Sequence, residues 1–222
     1  MCGRFVQAVP GEVIGELFGV AALKAYPARY NLAPSQNALV VRETPAGREL
    51  AWVRWGLVPS WAKEAAIGSR LINARIETAA DKPAFRQALA RRRCLIPVSG
   101  FYEWHAVAGR KRPYFISFDD RPCFALGGLW ESWNGGGGVP VETFAVLTTR
   151  PNEVVAGLHD RMPVIVPPDH AGAWLAPVAL DQELATSLAI PHDARGMVAW
   201  PVTSRVGNPG YDAPDCIVRQ FV

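Results

Sequence analysis

Apolar residues along this chain come in short runs, each broken within a few residues by glycine, proline or charge. The runs NALVVRE, ELAWVRWGLV, RCLIPVSGFYEW, PYFISFD, TFAVLTT and MPVIVP are rich in β-branched and aromatic residues, which predicts strands. Helical spacing is clearest in three places, PGEVIGELFG, ETAADKPAFRQALARR and PDHAGAWLA, where a proline or polar start precedes the apolar positions. The stretch WNGGGGVPVE lies between two strand-like runs and predicts a hairpin loop. Many short strands, few helices and no internal repeat or linker predict one α+β domain over residues 2–222. Its core is expected to be a curved, barrel-like, mainly antiparallel sheet with a few flanking helices.

With 222 residues, half of them hydrophobic, the chain can bury a full core. A net charge of +3, from 23 basic and 20 acidic residues, neither demands nor excludes a nucleic-acid partner, so local clusters must decide. Cys2, Cys94, Cys123 and Cys216 have none of the spacings of structural zinc sites, so neither metal nor cofactor is expected. No basic segment followed by an apolar run opens the chain, and no apolar run is long enough to span a bilayer. A cytosolic protein with reduced thiols and no membrane contact is the expectation.

Chemistry enters at the first residues, MCGRFV. Methionine aminopeptidases remove an initiator Met that precedes a small side chain, so a chain starting at Cys2 carries an amine and a thiol on one residue. An α-amine titrates at about 7.7 to 8.0 and a thiol at about 8.5, so both have nucleophilic fractions near neutrality. The amine can condense with an aldehyde to an imine, on which the thiolate closes a five-membered thiazolidine; the second step gains from being intramolecular. Gly3 permits close approach of a ligand, and Arg4 can hold an anion beside the nucleophile.

Three further segments carry groups suited to such a site. If LINARIE is extended, Asn73, Arg75 and Glu77 share one face and Ala74 and Ile76 the other; a solvated face with an Arg75–Glu77 ion pair fits the same pattern. Glu103 lies among Phe101, Tyr102 and Trp104, surroundings that raise a carboxyl pKa and suit proton exchange, although an ion pair with Arg110 or Lys111 is the alternative. His159, in VAGLHDRMPVIVP, precedes Asp160 and Arg161 at the mouth of a strand. Basic and aromatic residues interleave in RWGLVPSWAK, FRQALARRRC and GRKRPYF, a pattern that serves single-stranded nucleic acid. Arg91, Arg92 and Arg93 also complement a helix C-terminus.

In the order MCGRF, RYNLAPSQ, WGLVPSWAK, LINARIET, RCLIPVSGFYEW, HDRMPVIV and PVTSRVGNPGYDAPDCI, the chain resembles, nearly end to end, the SOS-response-associated peptidase (SRAP) family of abasic-site shields. The resemblance implies that Cys2, freed of Met1, forms a thiazolidine with the ring-opened aldehyde of an abasic site in single-stranded DNA. Asn73, Glu103 and His159 match the family's active-site residues, and Arg4, Arg75 and Arg161 fall where family arginines grip the DNA backbone. It further implies a self-processing, peptidase-like activity, a weak lyase activity, a monomeric nucleoid-associated protein and partners at the replication fork. For the roles, His159 is expected to open the sugar, Glu103 to handle the protons of the Cys2 amine, and Asn73 to bond a sugar hydroxyl or developing charge. Trp104 or the WGLVPSW loop is expected to stack beside the gap. The GGGG run at 135–138 is not part of the family pattern.

Two readings of other classes stay open. Cys2 could be the nucleophile of an amidohydrolase, with its own α-amine as base, or be incidental to a non-catalytic single-strand-binding module.

Overall fold

The computed structural model describes residues 2–21, 23, 26–107, 109–135 and 138–221. Strands β1 (Phe5–Gln7) and β2 (Arg29–Leu32) flank helix α1 (Gly11–Phe18), and the hairpin β3 (Asn37–Thr44) and β4 (Gly47–Trp55) follows. Next come β5 (Asn73–Arg75), α2 (Arg86–Arg91), β6 (Arg93–Val98), β7 (Gly100–Val107), β8 (Arg110–Phe118), β9 (Phe124–Trp133) and β10 (Val141–Thr149). The C-terminal part holds α3 (Glu153–Ala156), β11 (Met162–Pro163), β12 (Ile165–Val166), α4 (Ala171–Leu175), α5 (Gln182–Leu188) and β13 (Met197–Pro201).

Five strands close a barrel. β3 pairs antiparallel with β4 on one side and β6 on the other, β6 with β9, and β9 with β10; β10 then meets β4 in parallel at Phe144↔Trp55. Closure leaves those strands without a free edge. Both faces are covered, which is why β6 is buried at all six positions and reads, after Arg93, as a continuous apolar run. Side chains of one parity, such as Val40, Ile96 and Phe144, form a core with Phe5, Phe101 and Ile116 of a second sheet. Those of the other parity, such as Val41, Leu95 and Leu147, pack with Ile14, Leu89 and Trp174 from the helices. The second sheet is antiparallel in the order β13-β8-β7-β1-β2.

Each of the six predicted strand runs contains strand, although ELAWVRWGLV leaves β4 after Trp55 and MPVIVP is split at Val164, and the fold is the expected barrel-like α+β domain. The helix expected over ETAADKPAFRQALARR is shorter than predicted. Its first part is a 3-10 turn at Ile76–Thr78, and regular helix starts only after Pro83, whose ring disfavours helical geometry at Lys82. In PDHAGAWLA the prolines set a 3-10 turn, Pro168–His170, ahead of α4. Arg93 donates to the carbonyls of Leu89 and Ala90 at the end of α2, as a C-terminal cation should. The GGGG run joins β9 to β10, with residues 136 and 137 outside the described ones. No helix among the described residues is long and apolar enough to cross a membrane.

Candidate active site

The N-terminal segment is threaded between two strands. Phe5 pairs with Leu32 of β2 and with Phe101 of β7, and Tyr102 donates its backbone N–H to the Arg4 carbonyl at 3.0 Å, so the residues before β1 run alongside β7. Cys2 is therefore buried, its Sγ 3.7 Å from the Arg4 carbonyl. Burial, reinforced by the nearby Glu103 charge, pushes its thiol pKa far up, so the sulfur rests as a neutral thiol.

β5 is short, but its parallel pairing with β10, Val146↔Asn73, fixes where Asn73 points. Asn73 Nδ2 donates to the Cys2 carbonyl at 2.8 Å, while its Oδ1 is buried with no hydrogen-bond partner among the described residues. Only Asn73–Arg75 of LINARIE is extended. The chain then turns at Ile76, so Glu77 leaves the strand, and its bonded partner is Arg161, at 2.7 and 2.8 Å, rather than Arg75.

Glu103 sits on β7 at 2 % exposure. Its carboxyl is pushed up to about 7, first by burial and further by the Asp160 charge, so that it changes protonation near neutrality. Among the described residues no ion pair joins it to Arg110 or Lys111. His159 follows α3, its backbone N–H held by the Val155 carbonyl at 2.8 Å, and burial keeps its imidazole below the usual value. Nδ1 of its ring receives the backbone N–H of Arg161 at 3.0 Å and lies 2.7 Å from Asp160 Oδ1.

Glu103 and His159 line one open cleft of about 600 Å³ together with Gly3, Arg4, Trp104 and Lys111. A second groove, about 640 Å³, contains Asn73 and Arg75 with Trp61, Arg70 and Lys82. Asn73 therefore belongs to one groove and bonds the residue whose neighbours line the other. Of the two tryptophans in WGLVPSW, Trp55 is a core residue donating to the Ile72 carbonyl, whereas Trp61 is 59 % exposed.

The arginines differ sharply. Arg75 is exposed at its groove. Arg4 is bonded to Asn31 Oδ1 at 2.9 Å and to the carbonyls of Val206 and Gly207, its guanidinium 6.0 Å from the Trp104 ring. Arg161, besides Glu77, bonds the Thr148 carbonyl at 2.6 Å. Lys82 and Arg70 were not singled out by sequence, and Lys111 only as a partner for Glu103. A signal existed for Lys111 in GRKRPYF: its register opposite Ala106 puts it on the Trp104 side of the β7–β8 hairpin. Once Met1 is removed, Cys2 carries an amine and a thiol near Glu103 and beside clefts lined by basic residues, an arrangement suited to covalent capture of an electrophile on an extended anionic chain.

Known proteins resemble this chain over most of its length. The model of the SOS response associated peptidase (SRAP) family matches residues 1–209. Abasic site processing protein YoqW of Bacillus subtilis is 40% identical over 221 residues, covering 98% of this chain and 99% of that protein. Abasic site processing protein YedK of Escherichia coli is 30% identical over 219 residues, covering 94% and 95%. Among solved structures, a protein from Bacteroides thetaiotaomicron superposes with a TM-score of 0.88 at 24% identity, covering 99% of this chain and all of the other.

Proposed function

The chain belongs to the SOS response associated peptidase family, and from that premise we propose that it captures abasic sites in single-stranded DNA as a thiazolidine on Cys2. The observation that carries this reading is how four residues far apart in sequence are linked: Asn73 bonds the Cys2 carbonyl, the Glu103 charge acts on the Cys2 thiol, and Glu103 shares a cleft with His159. Supporting it are the raised carboxyl of Glu103, poised near 7, and the hydrogen bond that fixes the Cys2 carbonyl.

The steps follow from the chemistry of the sugar. A closed abasic deoxyribose is a hemiacetal. Opening it takes the proton from the C1 hydroxyl and returns one to the ring oxygen, and His159 carries that exchange. The Cys2 amine, available once Met1 is removed, adds to the aldehyde carbon; loss of one water leaves an imine, with Glu103 taking a proton from the amine and giving one to the departing hydroxyl. The thiol then adds across C=N, its sulfur to carbon and its proton to nitrogen, and the ring closes. One water is released per crosslink. Asn73 holds Cys2 so that amine and thiol face the same carbon, and its buried Oδ1 accepts from the sugar hydroxyl or the amine.

The grooves on either side would hold the strand flanking the lesion. Arg75, Arg70 and Lys82 face phosphates on one side and Lys111 on the other, with Trp61 and Trp104 available to stack on bases; such contacts give affinity without reading sequence. Arg4 forms part of one wall and adds charge at close range, and Arg161 anchors the loop that carries His159.

Lyase activity through the imine, self-processing at Met1–Cys2, a monomeric state and replication-fork partners complete the proposal. The test is incubation of the Met-processed chain with single-stranded DNA carrying one abasic site, followed by denaturing gels. A heat-stable band that vanishes with a non-aldehydic analogue and with Cys2→Ala is expected. If the band persists in either control, thiazolidine formation is wrong.

A further inference from the structure

Nδ1 of His159 has two suitors that it cannot satisfy at once. The backbone N–H of Arg161, 3.0 Å away, meets it with hydrogen-bond geometry and needs a lone pair there. The Asp160 carboxylate, 2.7 Å away, needs a proton there. The two demands select opposite tautomers of the neutral ring. With Arg161 as donor, the single ring proton is on Nε2, which then cannot accept one. With Asp160 as acceptor, Nδ1 keeps its proton and Nε2 is left to give and take the other.

We propose that Asp160 is a positioning residue that switches His159 between these states: it holds Nδ1–H while Nε2 exchanges protons with the substrate, and otherwise yields Nδ1 to the Arg161 N–H. The asymmetry of the two partners makes the switch workable. The Arg161 N–H is fixed by the backbone, and the Arg161 side chain is anchored to Glu77 and Thr148, so this donor does not move. The Asp160 side chain is 84 % exposed and free to rotate on and off the ring. The other charged groups lining the cleft with His159 are Lys111 from β8, Glu103 from β7 and Arg4 from the N-terminal segment. Lys111 opposes a charged ring, so Asp160 supplies the compensation.

The inference rests on reading His159 as the group that opens the sugar, and its test separates the two. In Met-processed protein labelled with 15N histidine, the His159 midpoint and the Nδ1–H fraction of the neutral ring are measured by NMR without DNA, in wild type, Asp160→Ala and Asp160→Glu. The expected result is a midpoint lower by about half a unit in Asp160→Ala, as fits an exposed pair, with the Nδ1–H form depleted and both largely restored in Asp160→Glu. At 1 M salt, wild type should move toward the alanine variant. Identical midpoints and tautomer populations in wild type and Asp160→Ala would overturn the proposal. Single-turnover crosslinking at pH 7 is read in parallel and should slow about threefold or more in Asp160→Ala, with DNA affinity unchanged; an unchanged rate also overturns it. If wild type does not crosslink at all, the functional reading fails while the NMR arm still decides the Asp160–His159 coupling.

Discussion

Replacing Glu103 by Gln should stabilise the fold while removing the proton exchange proposed for Glu103, and the gain should depend on pH in a defined direction. The side chain is 2 % exposed, and burial raises its carboxyl from 4.5 to about 7. A carboxyl with a raised folded-state pKa binds its proton more tightly folded than unfolded. Its contribution is thus fully present below the unfolded value, near 4.5, and lost as pH rises through 7. The shift of about 2.5 units corresponds to roughly 3 kcal/mol, most of it lost between pH 5 and 8. Glutamine keeps the shape and cannot ionise, so the variant escapes the loss. Urea unfolding of Met-processed wild type and Glu103→Gln at pH 5 and pH 8 measures this. The stability difference in favour of Gln should widen by about 2 to 3 kcal/mol between the two pH values. A difference that is the same at both pH values, or narrows toward pH 8, would refute the raised carboxyl and with it the role given to Glu103.

Arg161→Ala should cost about 1 to 2 kcal/mol, because it strips two bonds from Glu77 and one from the Thr148 carbonyl; a double-mutant cycle with Glu77→Gln should show about 1 kcal/mol of coupling, and none if the pair is incidental. Gly128→Ala puts a Cβ 2.6 Å from Ile96 Cδ1 and 2.9 Å from Cys94 Sγ, and should destabilise by about 1 to 3 kcal/mol with partial recovery in Ile96→Val; thermal unfolding of the single and double variants decides. Lys111→Ala should lower the slope of log affinity against log salt for single-stranded DNA by about 0.7, as loss of one phosphate contact would, while leaving thermal stability unchanged; an unchanged slope removes Lys111 from the DNA path.

Much of the fold is legible because strand chemistry is local. The β-branched and aromatic runs mark β3, β4, β6, β7, β8 and β10. β9 is harder to see, since FALGGLWESW carries two glycines inside the strand; Gly128 is there because its neighbours Ile96 and Cys94 leave no room for a Cβ, a packing fact that no local pattern reports. Helix α5 depends on Asp181, whose side chain caps it by accepting from the Leu184 N–H at 2.8 Å, one residue in an otherwise weak pattern. Cys2, Asn73, Glu103 and His159 could each be picked out by type and neighbours. What the linear pattern could not give is how they are held: the bond from Asn73 to the Cys2 carbonyl spans 71 positions, and the partner of Glu77 is 84 positions away.

That difference between what a residue is and what it is bonded to matters most for the arginines. Side-chain type alone groups Arg4, Arg75 and Arg161 as cations for a phosphate backbone. Their contacts divide them. Arg4 ties the N-terminal segment to Asn31, which is itself buried and donates through Nδ2 to the carbonyls of Val206, Asn208 and Tyr211, while Asp212 accepts from the backbone N–H groups of Tyr30 and Asn31. The RYN and TSRVGNPGYDAP segments therefore act as one bracket behind Cys2, and Arg4 is the link between that bracket and the nucleophile. Arg161 does the corresponding job for the histidine loop, fixing it to β10 through Thr148 and to the end of β5 through Glu77. A reactive N-terminus would otherwise be a frayed chain end, with nothing to keep amine and thiol aimed at one carbon. Using two partly buried cations for scaffold bonds, and leaving Arg75 and Lys111 for solvent-facing contacts, is how this fold would give the proposed site a fixed geometry at a chain terminus.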